Sequence, residues 1–133
     1  MLTAVNPTTG AIIRAFYENS TQEIEDKVKA AHQAFLVWRE MTFPQRVGKL
    51  RNASQILIDK KEEFAVLMAT EMGKPIRSGR AEIEKCAWVC DYYADNALTA
   101  LQPETIRTDA RRSYISFKPL GVILAIMPWN YPF

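Results

Sequence analysis

The residue in this chain that is best suited to chemistry is an asparagine, Asn130, which lies between Pro128 and Pro132. Its side-chain amide can donate a hydrogen bond without carrying a charge or losing a proton near neutral pH. Asn130 follows an uninterrupted apolar run over residues 120–127, which predicts a strand covered on both faces. Because open α/β sheets place ligands beyond the carboxyl ends of their strands, Asn130 stands where a catalytic group is expected. The alternative is an ordinary turn asparagine, which is common beside proline.

Two thiols and one imidazole are the other side chains that could act as nucleophiles or metal ligands. Cys86 and Cys90 are four residues apart on a predicted helix, which is too local a pair to be a useful disulfide. His32 has no cysteine or histidine partner at metal-ligand spacing. We therefore expect reduced, semi-buried thiols, a surface histidine and no metal site.

Charged residues in the middle of the chain offer weaker candidates. Glu71, Glu82 and Glu84 could in principle act as paired carboxylates, but a solvated helix face is the favoured interpretation. Lys74 could bind an anion just beyond Gly73, although a surface lysine is favoured there. The glycines form neither a P-loop nor a G-x-G-x-x-G pattern.

The composition describes one ordinary domain with balanced charge. The chain has 133 residues, 48% of them hydrophobic, with 17 basic and 15 acidic side chains and a net charge of +2. Basic residues are mixed with acidic ones, whereas a nucleic-acid binder would carry a basic patch. No segment is apolar for the roughly 20 residues of a membrane span, and no signal peptide is recognisable. We expect a cytoplasmic protein without nucleic-acid or membrane partners.

Four helices are predicted from capping signals and from apolar residues at spacings of three and four. Ser20 and Glu23 mark the start of the first helix, and Thr42 and Gln45 mark the start of the second. The third helix is predicted to start at residues 59–62 and to end at Gly73, and the fourth to run from Arg77 to about Leu101. A strand pair around a turn at residues 5–10 is expected before them. After them, residues 106–118 predict an amphipathic strand region with Ile115 and Phe117 on its buried face.

Four short motifs resemble the aldehyde dehydrogenase superfamily, in the family's order and at about its spacings. They are Asn-Pro-Thr-Thr-Gly at 6–10, Glu-Met-Gly-Lys-Pro at 71–75, Pro-Leu-Gly-Val at 119–122 and Pro-Trp-Asn at 128–130. The resemblance covers nearly all of the chain, and the last motif is the most specific. Within the superfamily, the chain looks most like bacterial succinate-semialdehyde dehydrogenases. Tyr131 stands where the family commonly has phenylalanine.

The resemblance implies NAD(P)-dependent oxidation of an aldehyde to a carboxylic acid, and succinate semialdehyde is the substrate we expect. In this family a cysteine thiolate attacks the aldehyde, hydride passes to the nicotinamide cofactor, and a glutamate activates the water that hydrolyses the thioester. The motif asparagine donates to the oxyanion, a role that the resemblance gives to Asn130. The implied contacts to NAD or NADP are Ile126, Met127, Trp129 and Asn130.

The resemblance also identifies what these residues lack. The family's nucleophilic cysteine, general-base glutamate and glycine-bearing phosphate turn follow the Pro-Trp-Asn motif, whereas Cys86 and Cys90 precede it. Two interpretations therefore stay open. The chain is the N-terminal portion of a working dehydrogenase, or it is a catalytically inactive truncated product or association module. In either case we expect the isolated chain to be inactive.

The fold class that we expect is α/β, as an N-terminal fragment of the aldehyde dehydrogenase fold. Residues 1–104 would form the helical part of the cofactor-binding domain, and residues 105–118 the association strands. Residues 119–133 would hold the first buried strand of a Rossmann-like parallel sheet and the oxyanion-site turn. The resemblance implies a homo-oligomer formed through residues 105–118, for which an ordinary edge hairpin is the alternative.

Overall fold

The computed structural model describes residues 1–133 as two β-hairpins that flank four α-helices. The elements are β1 (Leu2–Val5), β2 (Ile12–Phe16), α1 (Thr21–Trp38), α2 (Phe43–Asp59), α3 (Lys61–Met72), α4 (Ile76–Ala100), β3 (Glu104–Ile106) and β4 (Ser113–Ile115). β1 pairs antiparallel with β2, and β3 pairs antiparallel with β4, in two separate sheets. The predicted strand pair and four helices are confirmed. None of the helices is long and apolar enough to cross a membrane.

The helices begin at the polar residues that the sequence indicates. At the start of α1, the Ser20 hydroxyl accepts the Glu23 backbone N–H at 3.3 Å, and the Glu23 carboxylate accepts the Ser20 N–H at 2.7 Å. These two bonds satisfy backbone donors that a helix start leaves free. The Ser20 backbone N–H and the Ser20 hydroxyl both donate to the Glu23 carboxylate, which holds the pKa of Glu23 below its usual range. At the start of α2, Gln45 accepts the Thr42 backbone N–H at 2.8 Å, and Pro44 occupies the first turn.

A sharp elbow separates α3 from α4. Gly73 ends α3 in the left-handed conformation, with φ of 74°, as the sequence predicts. Pro75 then stands at the cap position of α4. The elbow leaves only three residues, 73–75, between two helices that pack against each other. A side chain in the elbow can therefore reach the first turns of α4.

The core lies where α4 packs against α2 and α3. Its buried apolar side chains are Ala65, Met68, Ile83, Ala87 and Ala94. The α3–α4 contact is close because Gly79 has no side chain. A Cβ added at Gly79 would lie 3.2 Å from the Ala65 Cα, so the helix axes could not keep their separation with a larger residue there.

A polar cluster fixes α2 against α4, and the sequence analysis did not identify it. Ser54 is the buried residue of α2, and its hydroxyl donates to an Asp91 oxygen at 2.8 Å. The Arg51 guanidinium donates to the other Asp91 oxygen at 3.2 Å and also to Asp95. Ser54 is polar and therefore gave no apolar-periodicity signal, although it occupies the face that packs on α4.

The predicted buried strand over residues 120–127 is wrong for this chain. These residues form no strand, and Leu120, Leu124 and Ile126 are 93%, 85% and 85% exposed. A strand is stabilised by ladder hydrogen bonds to a neighbour, and no other strand lies beside this segment. Residues 120–127 therefore have the apolar composition of a buried segment, but in this structure they are largely exposed to solvent.

The predicted burial of Ile115 and Phe117 is also wrong. Ile115 lies in β4 but is 49% exposed, and Phe117 lies beyond β4 and is 54% exposed. A two-stranded hairpin buries a face only against another layer, and β3 and β4 pair only with each other. The region predicted to form association strands, residues 105–118, accordingly contains an exposed hairpin with exposed apolar side chains.

Candidate active site

Asn130 lies on a tight turn at the end of the exposed segment. The Tyr131 backbone N–H donates to the Pro128 carbonyl at 3.0 Å, which closes a β-turn with Asn130 at its third position. Asn130 is exposed, and its side-chain amide makes no hydrogen bond within the chain, whereas its backbone carbonyl accepts one. The turn thus holds the backbone of Asn130 and leaves the amide able to donate to another molecule.

Lys74, in the α3–α4 elbow, holds the turn through the backbone of Asn130. Its ammonium donates to the Asn130 carbonyl oxygen at 2.9 Å and pairs with the Glu82 carboxylate. It also lies 4.3 Å from the centre of the Tyr131 ring, within range of a cation–π interaction. The Lys74 side chain is only 11% exposed, so the favoured interpretation of a surface lysine is wrong.

Glu82, on α4, holds the backbone just after the turn, at Phe133. One carboxylate oxygen pairs with Lys74, and the other accepts the Phe133 backbone N–H at 3.1 Å. The Glu82 side chain is 1% exposed, so the predicted solvated face is wrong at this position. Glu82 is buried because it lies one turn after Gly79, on the face that approaches α3, and its charge is compensated by Lys74. Glu71 and Glu84 are exposed, as predicted.

Apolar contacts with α3 complete the attachment of the turn. The Phe133 ring packs on the Phe64 ring with a centroid separation of 5.0 Å. Beside it, Trp129 and Phe133 line a small cavity of about 180 Å³ together with Met68 and Met72 of α3. The turn that carries Asn130 is therefore fixed to α3 by apolar contact and to the elbow and α4 by charge.

The Cys86 thiol is not suited to act as a nucleophile. Burial raises the pKa of the Cys86 thiol above its usual range, and the nearby Glu82 carboxylate raises it further. A raised pKa keeps the sulfur protonated, and the thiol is a much weaker nucleophile than the thiolate. Cys86 and Cys90 are both free and half-buried, and His32 is exposed, as predicted.

The residues before Asn130 present an apolar surface with unpaired backbone groups. Ile126, Met127 and Trp129 are 85%, 54% and 79% exposed. Their backbone N–H and C=O groups make no hydrogen bond within the chain. Exposed apolar side chains can cover the face of a flat ring, and free backbone groups can bind hydroxyls. The segment therefore offers a ligand an exposed apolar surface beside unpaired backbone groups.

Comparison with known proteins identifies the family. The sequence model described as "Aldehyde dehydrogenase family" matches residues 1–133. The chain belongs to the aldehyde dehydrogenase family, and the resemblance seen in its motifs is confirmed.

Similar proteins are longer than this chain. A protein of Synechocystis sp. named "Probable succinate-semialdehyde dehydrogenase", with NADP(+) in its name, is 45% identical over 132 residues, which are 99% of this chain and 29% of that protein. A succinate semialdehyde dehydrogenase of Escherichia coli, with NAD(P)+ in its name, is 38% identical over 97% of this chain and 28% of its own length. The chain thus spans less than a third of these relatives.

A solved structure has the same fold over the shared part. The succinic semialdehyde dehydrogenase of Streptococcus pyogenes, crystallised with NADP+, superposes with a TM-score of 0.91 at 30% identity. The match covers 98% of this chain and 29% of that protein. The expected fold class, an N-terminal portion of the aldehyde dehydrogenase fold, is confirmed.

Replacing Lys74 with methionine should strongly lower the free energy of unfolding of the chain. The change leaves the Glu82 carboxylate buried without a counter-charge, and breaking such a pair costs about 3 kcal/mol. The matched control is Lys61→Met, because Lys61 on α3 pairs with Glu84 on α4 at 2.7 Å and both side chains are more exposed than Lys74 and Glu82. That change should cost about 0.5 kcal/mol. Urea unfolding followed by circular dichroism measures both values.

The double variant Lys74→Met with Glu82→Leu separates the cost of a stranded charge from other effects. It removes both charges, so it should be more stable than Lys74→Met alone. Equal losses for Lys74→Met and Lys61→Met would contradict the buried pair described here.

Proposed function

We propose that this chain forms part of an NAD(P)-dependent aldehyde dehydrogenase that oxidises an aldehyde to a carboxylate, and that succinate semialdehyde is the substrate. Membership of the family supports the reaction type. The names of the Synechocystis and Escherichia coli relatives support the substrate and the use of NAD or NADP. The chain contributes one oxyanion donor and part of the cofactor surface.

The observation that carries this proposal is that the backbone of Asn130 is held in place while its side-chain amide is free to donate. Its backbone is held by a turn and by Lys74, whereas its amide is exposed and makes no hydrogen bond within the chain. A donor fixed in this way is preorganised, so it needs little rearrangement when negative charge develops on the aldehyde oxygen. The amide is neutral and therefore stabilises the oxyanion without exchanging a proton with it.

The cofactor surface that we propose consists of Ile126, Met127 and Trp129 with the backbone up to Asn130. Their exposed side chains would cover the nicotinamide side, and their free backbone groups would bind ribose hydroxyls. The oxidised cofactor, when bound, accepts the hydride that the aldehyde carbon loses. Asn130 immediately follows this surface, so the oxyanion donor and the hydride acceptor would share one short segment.

The nucleophile and general base are not assigned to this chain. Cys86 and Cys90 are its only thiols, and the raised pKa of Cys86 disfavours the thiolate. We infer that the 133-residue chain by itself does not oxidise aldehydes. Activity would require residues matching the remaining part of its relatives, which this chain does not span.

A chimera tests the proposed function. The 133-residue chain is joined in frame to the part of the Synechocystis relative that follows the matched region, and aldehyde-dependent NADPH formation is measured. Asn130→Ala in this chimera should lower kcat by about 100- to 1,000-fold, the usual cost of losing one oxyanion donor. The KM for NADP+ should change little, because the side-chain amide is lost while the backbone contacts remain.

The control for this change is Asn52→Ala, which removes an exposed asparagine on α2 far along the chain from the turn. It should leave kcat unchanged. A folded chimera that binds NADP+ but does not oxidise succinate semialdehyde, or an Asn130→Ala variant with the original kcat, would contradict the proposal.

We also infer that the β3–β4 hairpin supports self-association, as the family resemblance implies. Its apolar side chains are open to solvent, with Tyr114 52% and Ile115 49% exposed. A short hairpin with an unpaired edge and exposed apolar side chains is suited to pairing with a second copy. Ile115→Lys should therefore lower the mass of the chimera measured by light scattering, whereas the exposed control Val66→Lys on α3 should not. An unchanged mass for Ile115→Lys would exclude this surface.

A further inference from the structure

The position of Asn130 requires an explanation, because regular secondary structure does not supply it. Residues 116–133 belong to no helix or strand, and the only backbone hydrogen bond among residues 119–133 closes the turn itself. A turn closed by one bond can still move as a unit relative to the helices. The orientation of Asn130 therefore depends on side chains that reach it from elsewhere.

Two charged side chains bond to the backbone here, Lys74 at Asn130 itself and Glu82 three residues later at Phe133. The Lys74 ammonium bonds to the Asn130 carbonyl at 2.9 Å, and the Glu82 carboxylate bonds to the Phe133 N–H at 3.1 Å. Both bonds are made to backbone atoms, so neither uses the amide that is free to donate. Because Lys74 and Glu82 also pair with each other, displacement of either one disturbs both attachments.

The Lys74–Glu82 pair is rigid because both side chains are buried. The Lys74 and Glu82 side chains are 11% and 1% exposed, so solvent screens their attraction little. Glu82 stands on α4 next to the buried Ile83, and Lys74 stands in the short elbow after Gly73. Neither side chain can move far without unpacking the α3–α4 contact.

We propose that Lys74 and Glu82 are positioning residues that act through Asn130, aiming its amide at the oxyanion by clamping the backbone at Asn130 and at Phe133. This inference rests on the proposed function only for its catalytic consequence. The clamp itself is a property of the 133-residue chain and can be measured there.

Amide exchange followed by NMR tests the clamp in the chain itself. Lys74→Met should lower the protection of the Phe133 amide by about tenfold or more, because the Glu82 acceptor loses its fixed partner. Protection in α3 and α4 should persist, and Lys61→Met should leave the Phe133 amide unchanged. If Lys74→Met does not fold, the Lys74→Met and Glu82→Leu double variant removes the clamp without stranding a charge. Unchanged Phe133 protection in a folded variant would overturn the clamp.

A double-mutant cycle in the chimera tests positioning against a merely structural role. Lys74→Met should lower kcat by about 10- to 100-fold, since small misplacement of a catalytic group is costly. Adding Asn130→Ala should then lower kcat no further than Asn130→Ala alone, because both changes remove the same donor. Lys74→Arg, which keeps the charge and several donors, should lose less than Lys74→Met.

The outcomes of the cycle distinguish the two proposals. Losses that multiply would show that Lys74 does not act through Asn130, and the positioning inference would fail while the oxyanion role stands. An Asn130→Ala variant with the original kcat would instead refute the oxyanion role, and the amide-exchange experiment would still decide the clamp.

Discussion

The buried ion pair between Lys74 and Glu82 is the interaction on which the candidate site depends. Each charge alone would be costly to remove from water, and each is retained because it is paired and because its remaining hydrogen-bonding capacity is directed at the turn. The pair thus fixes a stretch of backbone without regular secondary structure to the α3–α4 elbow and to α4. Without it, Asn130 would lie on a turn that is held only by the contact between Phe64 and Phe133.

The helical part of the chain is built in a way that brings this pair together. Gly73 reverses the chain direction at the end of α3, and Pro75 starts α4 almost at once. Gly79 then allows α4 to approach α3 closely, which places Glu82 beside the elbow. Lys74 and Glu82 are eight residues apart, a separation that would not bring them together on one straight helix, and the elbow removes that obstacle.

Much of the fold could be predicted from the sequence because its signals are local. The capping residues Ser20 and Glu23 and the left-handed Gly73 act within a few residues of themselves, and the structure confirms each one. The apolar run at 120–127 was misjudged because periodicity reports what a segment is suited to and not whether a partner is present. Residues 120–127 have the composition of a buried strand, but in this chain they have no neighbour to pair with.

The candidate site was predicted only in part, and the missing part is non-local. Asn130 was identified from its motif, but the motif does not reveal what holds it. Lys74 and Glu82 were both assigned to the surface because charged residues on helices usually lie there. Their burial depends on a contact between the elbow and a turn 56 residues further along the chain, which no local pattern encodes.

The most direct test of this account is a NOESY spectrum of the 133-residue chain that detects contact between the Lys74 side chain and the Tyr131 ring. The ammonium lies 4.3 Å from the centre of the Tyr131 ring, so the side-chain methylene protons nearest to it should give cross-peaks to the ring protons. Such cross-peaks are the predicted result. A Tyr131 ring that gives no cross-peak to Lys74 while α3 and α4 remain folded would show that the turn is not clamped, and the account of the site would be wrong.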